Sequence, residues 1–234
     1  MSKVLIITGA SRGIGRATAK LFAAEGFKVY NLSRSRTDLP DVEQIDVDLS
    51  SPGWDDAARV PLLRAIAGAD QVVVVHNAGA IIKDSLSHFD AADFRRVMEI
   101  NVVAPALLGS LLLPELRAGS SIIYVGSTLG EIGVPNSCAY VSSKHALLGL
   151  MRSTCQDLAG SGIHTACVCP GFTDTEMLRD HVGNSEEVLS SIAKGVAYGR
   201  LIEPEEIART IYFCALNSVI NGAVIHANLG QVQS

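Results

Sequence analysis

The sequence predicts a doubly wound α/β fold: one parallel sheet of about seven strands with helices on both faces. Three observations carry this. Strand-like runs alternate with helical runs along the whole chain. Each strand-like run reads as apolar throughout and not alternating, as strands covered on both faces do. A glycine turn, Gly9 to Gly15, directly follows the first run and leads into the first helix. No linker long enough to divide the chain is present, so one domain over residues 1–234 is expected.

Residues 3–8 (KVLIIT) form the first expected strand. Gly9, Ser11, Arg12, Gly13, Ile14 and Gly15 make up the turn, and residues 16–25 carry Ala17, Leu21 and Phe22 at helical spacing. Between a strand and a helix, such a loop can turn backbone N–H groups toward a pyrophosphate. Its glycines let the backbone come close to the phosphates and the helix pack tightly on the strand. The spacing is Gly-x-x-x-Gly-x-Gly and not the common Gly-x-Gly-x-x-Gly.

Residues 27–32 give the second strand. An NAD site places an acid about 20 residues after the glycine loop, on the ribose 2′-OH. Here Ser33 and Arg34 stand in that place, Arg36 follows, and no acid comes before Asp38. With Arg12 in the loop, these cations favour a 2′-phosphate and hence NADP(H). The alternative is that Arg34 and Arg36 are solvated loop charges. Residues 42–47 form the third strand, ending near Asp46, Asp48 and Leu49. Asp48, or alternatively Asp46, can accept from the adenine amino group, while a helix N-cap at Ser50 or Ser51 competes nearby.

Residues 55–68 are a helix that Pro61 interrupts or restarts. Residues 71–75 are the fourth strand, closed by His76, Asn77, Ala78 and Gly79, whose small side chains let the backbone lie against a ribose or nicotinamide. Residues 90–119 hold a long helical stretch with Asn101 in its middle and Pro105 four residues on. Proline takes the helical N–H from the Asn101 carbonyl, so a kink or local opening is expected there, with backbone groups freed to bind water.

Residues 121–125 are the fifth strand, ending at Gly126 and Ser127. Residues 138–158 form a helix that sets Tyr140 and Lys144 at i and i+4, on one face. A phenol titrates near ~10 in isolation. A neighbouring ammonium favours the phenolate and lowers that value, which suits a proton donor and acceptor near neutrality. The Ser127 hydroxyl, arriving from a separate segment, can stabilise a carbonyl oxygen at the same point. Residues 163–168 are the sixth strand, after which Pro170 and Gly171 turn the chain. Residues 172–199 are polar and irregular to helical, as a substrate lid would be. Residues 204–216 form a helix, with Pro204 at its start, and residues 223–227 the last strand. The candidate residues thus converge on the carboxyl edge of the sheet, where open α/β sheets bind ligands.

With 48% hydrophobic residues and 21 glycines, the composition is globular. A formal charge of −5, with basic residues in no run, speaks against nucleic acid and anionic membrane as partners. The first residues, apolar only briefly before the glycines, resemble neither a signal peptide nor a membrane span. Five cysteines without a secretory leader suggest reduced thiols and a cytoplasmic setting. Cys167 and Cys169 are spaced unlike a zinc or redox pair, and no cluster of ligands suggests a metal.

Together these motifs resemble the short-chain dehydrogenase/reductase family, in its compact Rossmann-fold form. The match runs nearly end to end. Thr8-Gly-Ala-Ser-Arg-Gly-Ile-Gly15 looks like the family's cofactor loop, and His76-Asn-Ala-Gly79 its Asn-Asn-Ala-Gly element. Asn101, Ser127, Tyr140 and Lys144 match its catalytic tetrad. Pro170 and Gly171, with Thr173 and Thr175 following, resemble the segment that contacts the nicotinamide amide. The resemblance implies hydride transfer between NADP(H) and a small carbonyl or alcohol, with no metal. Tyr140 would exchange the proton, Lys144 lower its pKa and bind the nicotinamide ribose, and Ser127 polarise the substrate oxygen. Asn101 would hold a water linking Lys144 to a proton relay. The resemblance also implies a homodimer or homotetramer built on the helices of residues 90–119 and 138–158.

Three departures from the family pattern stand out: His76 for the first asparagine, a short stretch over residues 50–70, and an ending Asn228-Leu-Gly-Gln-Val-Gln-Ser234 in place of Asp-Gly-Gly. The expected pocket residues Ile81, Leu129, Ile132, Pro135, Phe172, Met177 and Leu178 are mostly apolar, which suggests an uncharged or part-apolar substrate. A 3-oxoacyl-carrier-protein reductase is the specific alternative, without an evident basic patch for the carrier. A redox-sensing nucleotide binder without turnover is the alternative from another class, although it would be expected to lose the tyrosine or the lysine.

Overall fold

The computed structural model describes residues 2–231. The tail residues 232–234, part of the expected C-terminal departure, lie outside the described residues. Seven parallel strands, β1 (Lys3–Thr8), β2 (Lys28–Ser33), β3 (Val42–Asp46), β4 (Gln71–His76), β5 (Ser121–Val125), β6 (His164–Pro170) and β7 (Ala223–Ala227), form one sheet in the order β3-β2-β1-β4-β5-β6-β7. The order reverses direction between β1 and β4, which opens a crevice between the loops that follow them.

Alternation along each strand sends side chains to two separate cores. Leu5, Ile7, Val73, Val75, Ile123 and Val125 face α1 (Gly13–Ala24) and α8 (Pro204–Leu216), where Phe22, Ile207 and Ile211 meet them. Val4, Ile6, Val74, Ile122 and Tyr124 face α2 (Trp54–Ile66), α4 (Ala104–Leu112) and α5 (Cys138–Asp157), through Leu62, Leu108, Leu112, Leu147 and Met151. The edge strands correct one expectation. β3 and β7 are not apolar throughout but half-exposed, since each has a neighbour on one side alone.

Several boundaries also differ. Helix α1 begins at Gly13 and not Arg16, so Gly13, Ile14 and Gly15 form its first turn. Helix α2 runs unbroken through Pro61; the Ala57 carbonyl that loses its N–H partner lies on the same exposed face as the proline. Gly53 is its N-cap, and neither Ser50 nor Ser51 is. Strand β6 extends to Pro170, which pairs with Ala227, so the turn starts one residue later than expected.

The stretch over residues 90–119 divides as its asparagine and proline foretold. Helix α3 (Ala91–Met98) passes into a π turn (Glu99–Val103), then into α4 with Pro105 in its first turn. By length and composition Ala91–Glu115 would suffice to cross a membrane. Here its Ala104, Leu108, Leu111 and Leu112 are packed into the core. After β6 come two short helices, α6 (Glu176–His181) and α7 (Glu186–Lys194).

Candidate active site

The loop between β1 and α1 is held by side chains from neighbouring strands. The Ala10 N–H donates to Oδ1 of buried Asn31 at 2.8 Å. Asn31 in turn donates to Ser33 Oγ and Gln44 Oε1. Asn77 donates its amide N–H groups to the carbonyls of Thr8 and Gly9, at 2.9 and 3.0 Å. Thr8 Oγ1 accepts the N–H groups of Asn77 and Ala78, closing the tie from the other side. A Cβ on Gly15 would overlap the Gly9 carbonyl and the Asn77 amide, so glycine is required by close approach. Gly9 and Gly13 need it for another reason, with φ of 73° and 53°. A bare, glycine-lined backbone at a helix N-terminus fits a pyrophosphate.

Around this loop the expected contacts divide. Ser33 and Asn77 are spent on shaping the site: Ser33 accepts from Asn31 and donates to the Ser35 carbonyl, and Asn77 holds the loop. Asp48 takes the hydroxyl and N–H of Ser50 on one oxygen, and those bonds lower its pKa and leave Oδ2 to accept from a ligand. Leu49 beside it is buried. Asp46 is instead paired with Arg36 at 3.3 Å on the surface, and Arg12 reaches Asp180 of α6 at 3.8 Å. Arg34 is exposed and makes no salt bridge among the described residues.

On the other side of the crevice, α5 carries half-buried Tyr140 and buried Lys144 one turn apart. Lys144 Nζ lies 5.5 Å from the centre of the Tyr140 ring and donates to the Val125 carbonyl at 2.8 Å. Two of its three N–H groups remain for other partners. Ser127 Oγ accepts the Leu129 N–H at 3.1 Å, leaving its own O–H to donate. Asn101, buried in the π turn, brackets Ala80: its Oδ1 accepts the Ala80 N–H at 2.7 Å and its Nδ2 donates to the Ala80 carbonyl at 3.0 Å. Nδ2 also reaches Ser143 Oγ at 2.9 Å, and Ser143 donates to the Tyr140 carbonyl. At Gly79 a Cβ would sit 3.6 Å from Asn101 Oδ1 and 3.8 Å from Lys144 Nζ, so this glycine borders both. Asn101, Lys144 and Tyr140 are therefore neighbours around one bare stretch of backbone.

Thr175 caps α6 and lies against the place where a Gly13 side chain would stand, so the start of α6 touches the glycine loop. Thr173 is buried and donates to the Gly171 carbonyl. Against Gly171 packs the C-terminal segment, with Asn228 and Gln231 where a Cβ would fall.

Three features escaped sequence reasoning. Asp84, buried, accepts the Ala139 N–H on both oxygens and so caps α5, whose own N-cap, Ser137, makes no side-chain bond. A cleft of about 560 Å³ lies at that end of α5, and of the seven expected apolar residues Pro135 alone lines it. The loop ahead of α5 and the end of α6 present polar groups there instead, among them Lys83, His88, Asn136 and His181. Third, the thiols of Cys167 and Cys169 lie 3.8 Å apart on one face of β6, under Gly126, where the hydrogen bond between them and their burial push Cys167 up. The only signal for Asp84 in the sequence was an acid shortly after the Asn77–Gly79 element, which no local pattern ties to residue 139.

Comparisons with known proteins bear on the family and the fold. A family model described as enoyl-(acyl carrier protein) reductase matches residues 9–231. An uncharacterized oxidoreductase of Thermotoga maritima is 31% identical, over 97% of this chain and 96% of its own. A 3-oxoacyl-[acyl-carrier-protein] reductase of Vibrio cholerae is 29% identical, over 97% and 96%. Among solved structures, ligand-free aldohexose dehydrogenase of Thermoplasma acidophilum superposes with a TM-score of 0.90 at 28% identity, over 100% of this chain and 97% of that one. A blue fluorescent protein from a metagenomic library, in complex with NADPH, gives 0.87 at 28% identity, over 99% and 98%.

Proposed function

The chain belongs to the short-chain dehydrogenase/reductase family of oxidoreductases, and from that premise we propose that it interconverts a carbonyl and an alcohol with NADP(H). The observation that carries the reading is buried Lys144 beside the Tyr140 ring, next to a glycine-lined loop. NADP(H), when bound, supplies or accepts the hydride. In the reducing direction Tyr140 gives its proton to the carbonyl oxygen, and the O–H of Ser127 donates to that same oxygen and holds it in place. Lys144 stabilises the phenolate left on Tyr140. Asn101 fixes residue 80 and, through Ser143, the Tyr140 backbone, so the donor does not drift.

Preference for the 2′-phosphate rests on Arg34, exposed just past the end of β2 and without a salt bridge among the described residues although Asp48 lies within range of its charge, and on the NADPH-bound relative. The relative Km for NADPH and NADH, in wild type and Arg34→Asp, tests it; an unchanged preference in the variant overturns it. A 3-oxoacyl-carrier-protein reductase is the second reading, favoured by the Vibrio cholerae relative.

NADPH oxidation against ketones, aldehydes, quinones and β-ketoacyl thioesters, with Tyr140→Phe as control, decides between them. Turnover confined to the thioesters selects the second reading. Activity surviving Tyr140→Phe near the wild-type rate sinks the mechanism, and nucleotide binding without turnover on any member marks a sensor. Self-association through the helices of residues 90–119 and 138–158 is part of the proposal, and β7 leaves a further open sheet edge, with Phe213, Leu216 and Val219 exposed. Light scattering that gave a monomer at micromolar concentration would refute it.

A further inference from the structure

The cleft at the amino end of α5 has a chemistry that the tetrad does not explain. It is bounded by residues 83–88 on one side and by the end of α6 on the other. Ser137, in its wall, precedes Tyr140 by three residues, about 4.5 Å along a helix axis. The cleft thus adjoins the helix end that carries Tyr140.

The wall holds one carboxylate, Asp84, and that carboxylate is turned to the backbone. Both oxygens accept the Ala139 N–H at the positive end of α5, and the side chain is buried. The other titratable groups in the wall are Lys83, His88 and His181. Lys83 is exposed and makes no salt bridge among the described residues. His181 is half-buried; burial first and then the charge of Lys83 lower its pKa, and both residues line the cleft. The neighbouring charges on α6 are matched elsewhere: Arg179 with Asp174 and Glu186, Asp180 with Arg12. In a chain of net charge −5, this cleft gathers Lys83, His88 and His181 around a single carboxylate, itself tied to the Ala139 N–H.

We infer that the cleft receives an anionic group, a carboxylate or a phosphate, carried by the substrate on the far side of the carbonyl that Tyr140 protonates. Lys83 supplies the charge, and His181 and His88 line the same space. This departs from the expectation of an uncharged substrate, and it rests on the reductase reading above.

Matched pairs of ketones test it. Levulinate is compared with methyl levulinate, and dihydroxyacetone phosphate with dihydroxyacetone, by NADPH oxidation in wild type, Lys83→Gln and His181→Asn. The expected result is a kcat/KM at least about tenfold higher for one or both anionic members. Lys83→Gln lowers that value about fivefold, the size of one partly exposed charge pair, through KM and with the neutral member unchanged. The pair that responds distinguishes carboxylate from phosphate. Equal use of both members, with no effect of Lys83→Gln, overturns the inference and leaves the reductase reading intact. If no ketone turns over, calorimetric titration of the NADP-loaded protein with levulinate and with inorganic phosphate takes its place. Binding that Lys83→Gln abolishes then supports the cleft while the reductase reading falls, and binding indifferent to Lys83, or none, overturns the cleft as well.

Discussion

Asp84 and Ala139 are joined across 55 residues of sequence, the carboxylate accepting the backbone N–H at 3.0 and 3.2 Å. The residue ahead of Tyr140 is thereby fixed by a side chain from the loop after β4. Asp84→Ala removes the cap and should cost about 1–2 kcal/mol of stability. It should also lower kcat about tenfold, with KM for NADPH unchanged. Asp84→Asn, which keeps an acceptor oxygen, should recover most of kcat. Steady-state kinetics beside calorimetry checks this; a loss of stability at full kcat would confine Asp84 to a purely structural role.

Asn101→Ala leaves the N–H and carbonyl of Ala80 and the hydroxyl of Ser143 each short of a partner. Stranding such groups should cost about 2–3 kcal/mol. Urea unfolding should show a lower midpoint with an unchanged slope, because the unfolded chain is the same.

Gly15→Ala drives a methyl group into the Gly9 carbonyl and the Asn77 amide, neither of which is the end of a free side chain. Relief requires the loop to open. Overpacking of this kind costs about 1–3 kcal/mol, and spent on the loop it should weaken NADPH binding by about tenfold or more in a fluorescence titration.

His76 is buried against Tyr124, ring centres 4.8 Å apart, and neither ring nitrogen has a hydrogen-bond partner among the described residues. Burial alone pushes its pKa down from 6.5 to about 3. On acidification the unfolded chain takes up a proton that the folded one refuses. The contribution of His76 to stability is therefore whole above about pH 6.5 and is lost as pH falls toward 3. Between pH 7.5 and 5 the loss should be about 2 kcal/mol. His76→Asn should flatten this limb of a plot of stability against pH, and an unchanged slope would rule out His76 as its source.

The sheet, its helices and the closeness of Asn101, Tyr140 and Lys144 were legible because each rests on a local pattern. Apolar runs betray strands, the i, i+4 spacing puts Tyr140 and Lys144 on one face, and Asn101 with Pro105 announces the opened turn that became a π turn. What stayed hidden depends on long-range pairing. Nothing near Asp84 names Ala139, and nothing near Asn31 names the Ala10 N–H that it holds. Charge was misjudged for a related reason: Arg12 and Arg36 read like Arg34, but each has an acid from a distant segment beside it. The charged residues of this cleft were not foreseen, because Lys83 and His181 come to line it only in three dimensions.

The bonds from Asn31, Asn77 and Thr8 to the glycine loop bear on time as well as shape. A loop fixed by its own neighbours has one conformation to offer, so no rearrangement stands between encounter and capture of the proposed nucleotide. Association then runs at the pace of diffusion and orientation, and selectivity between NADPH and NADH falls on how long each stays.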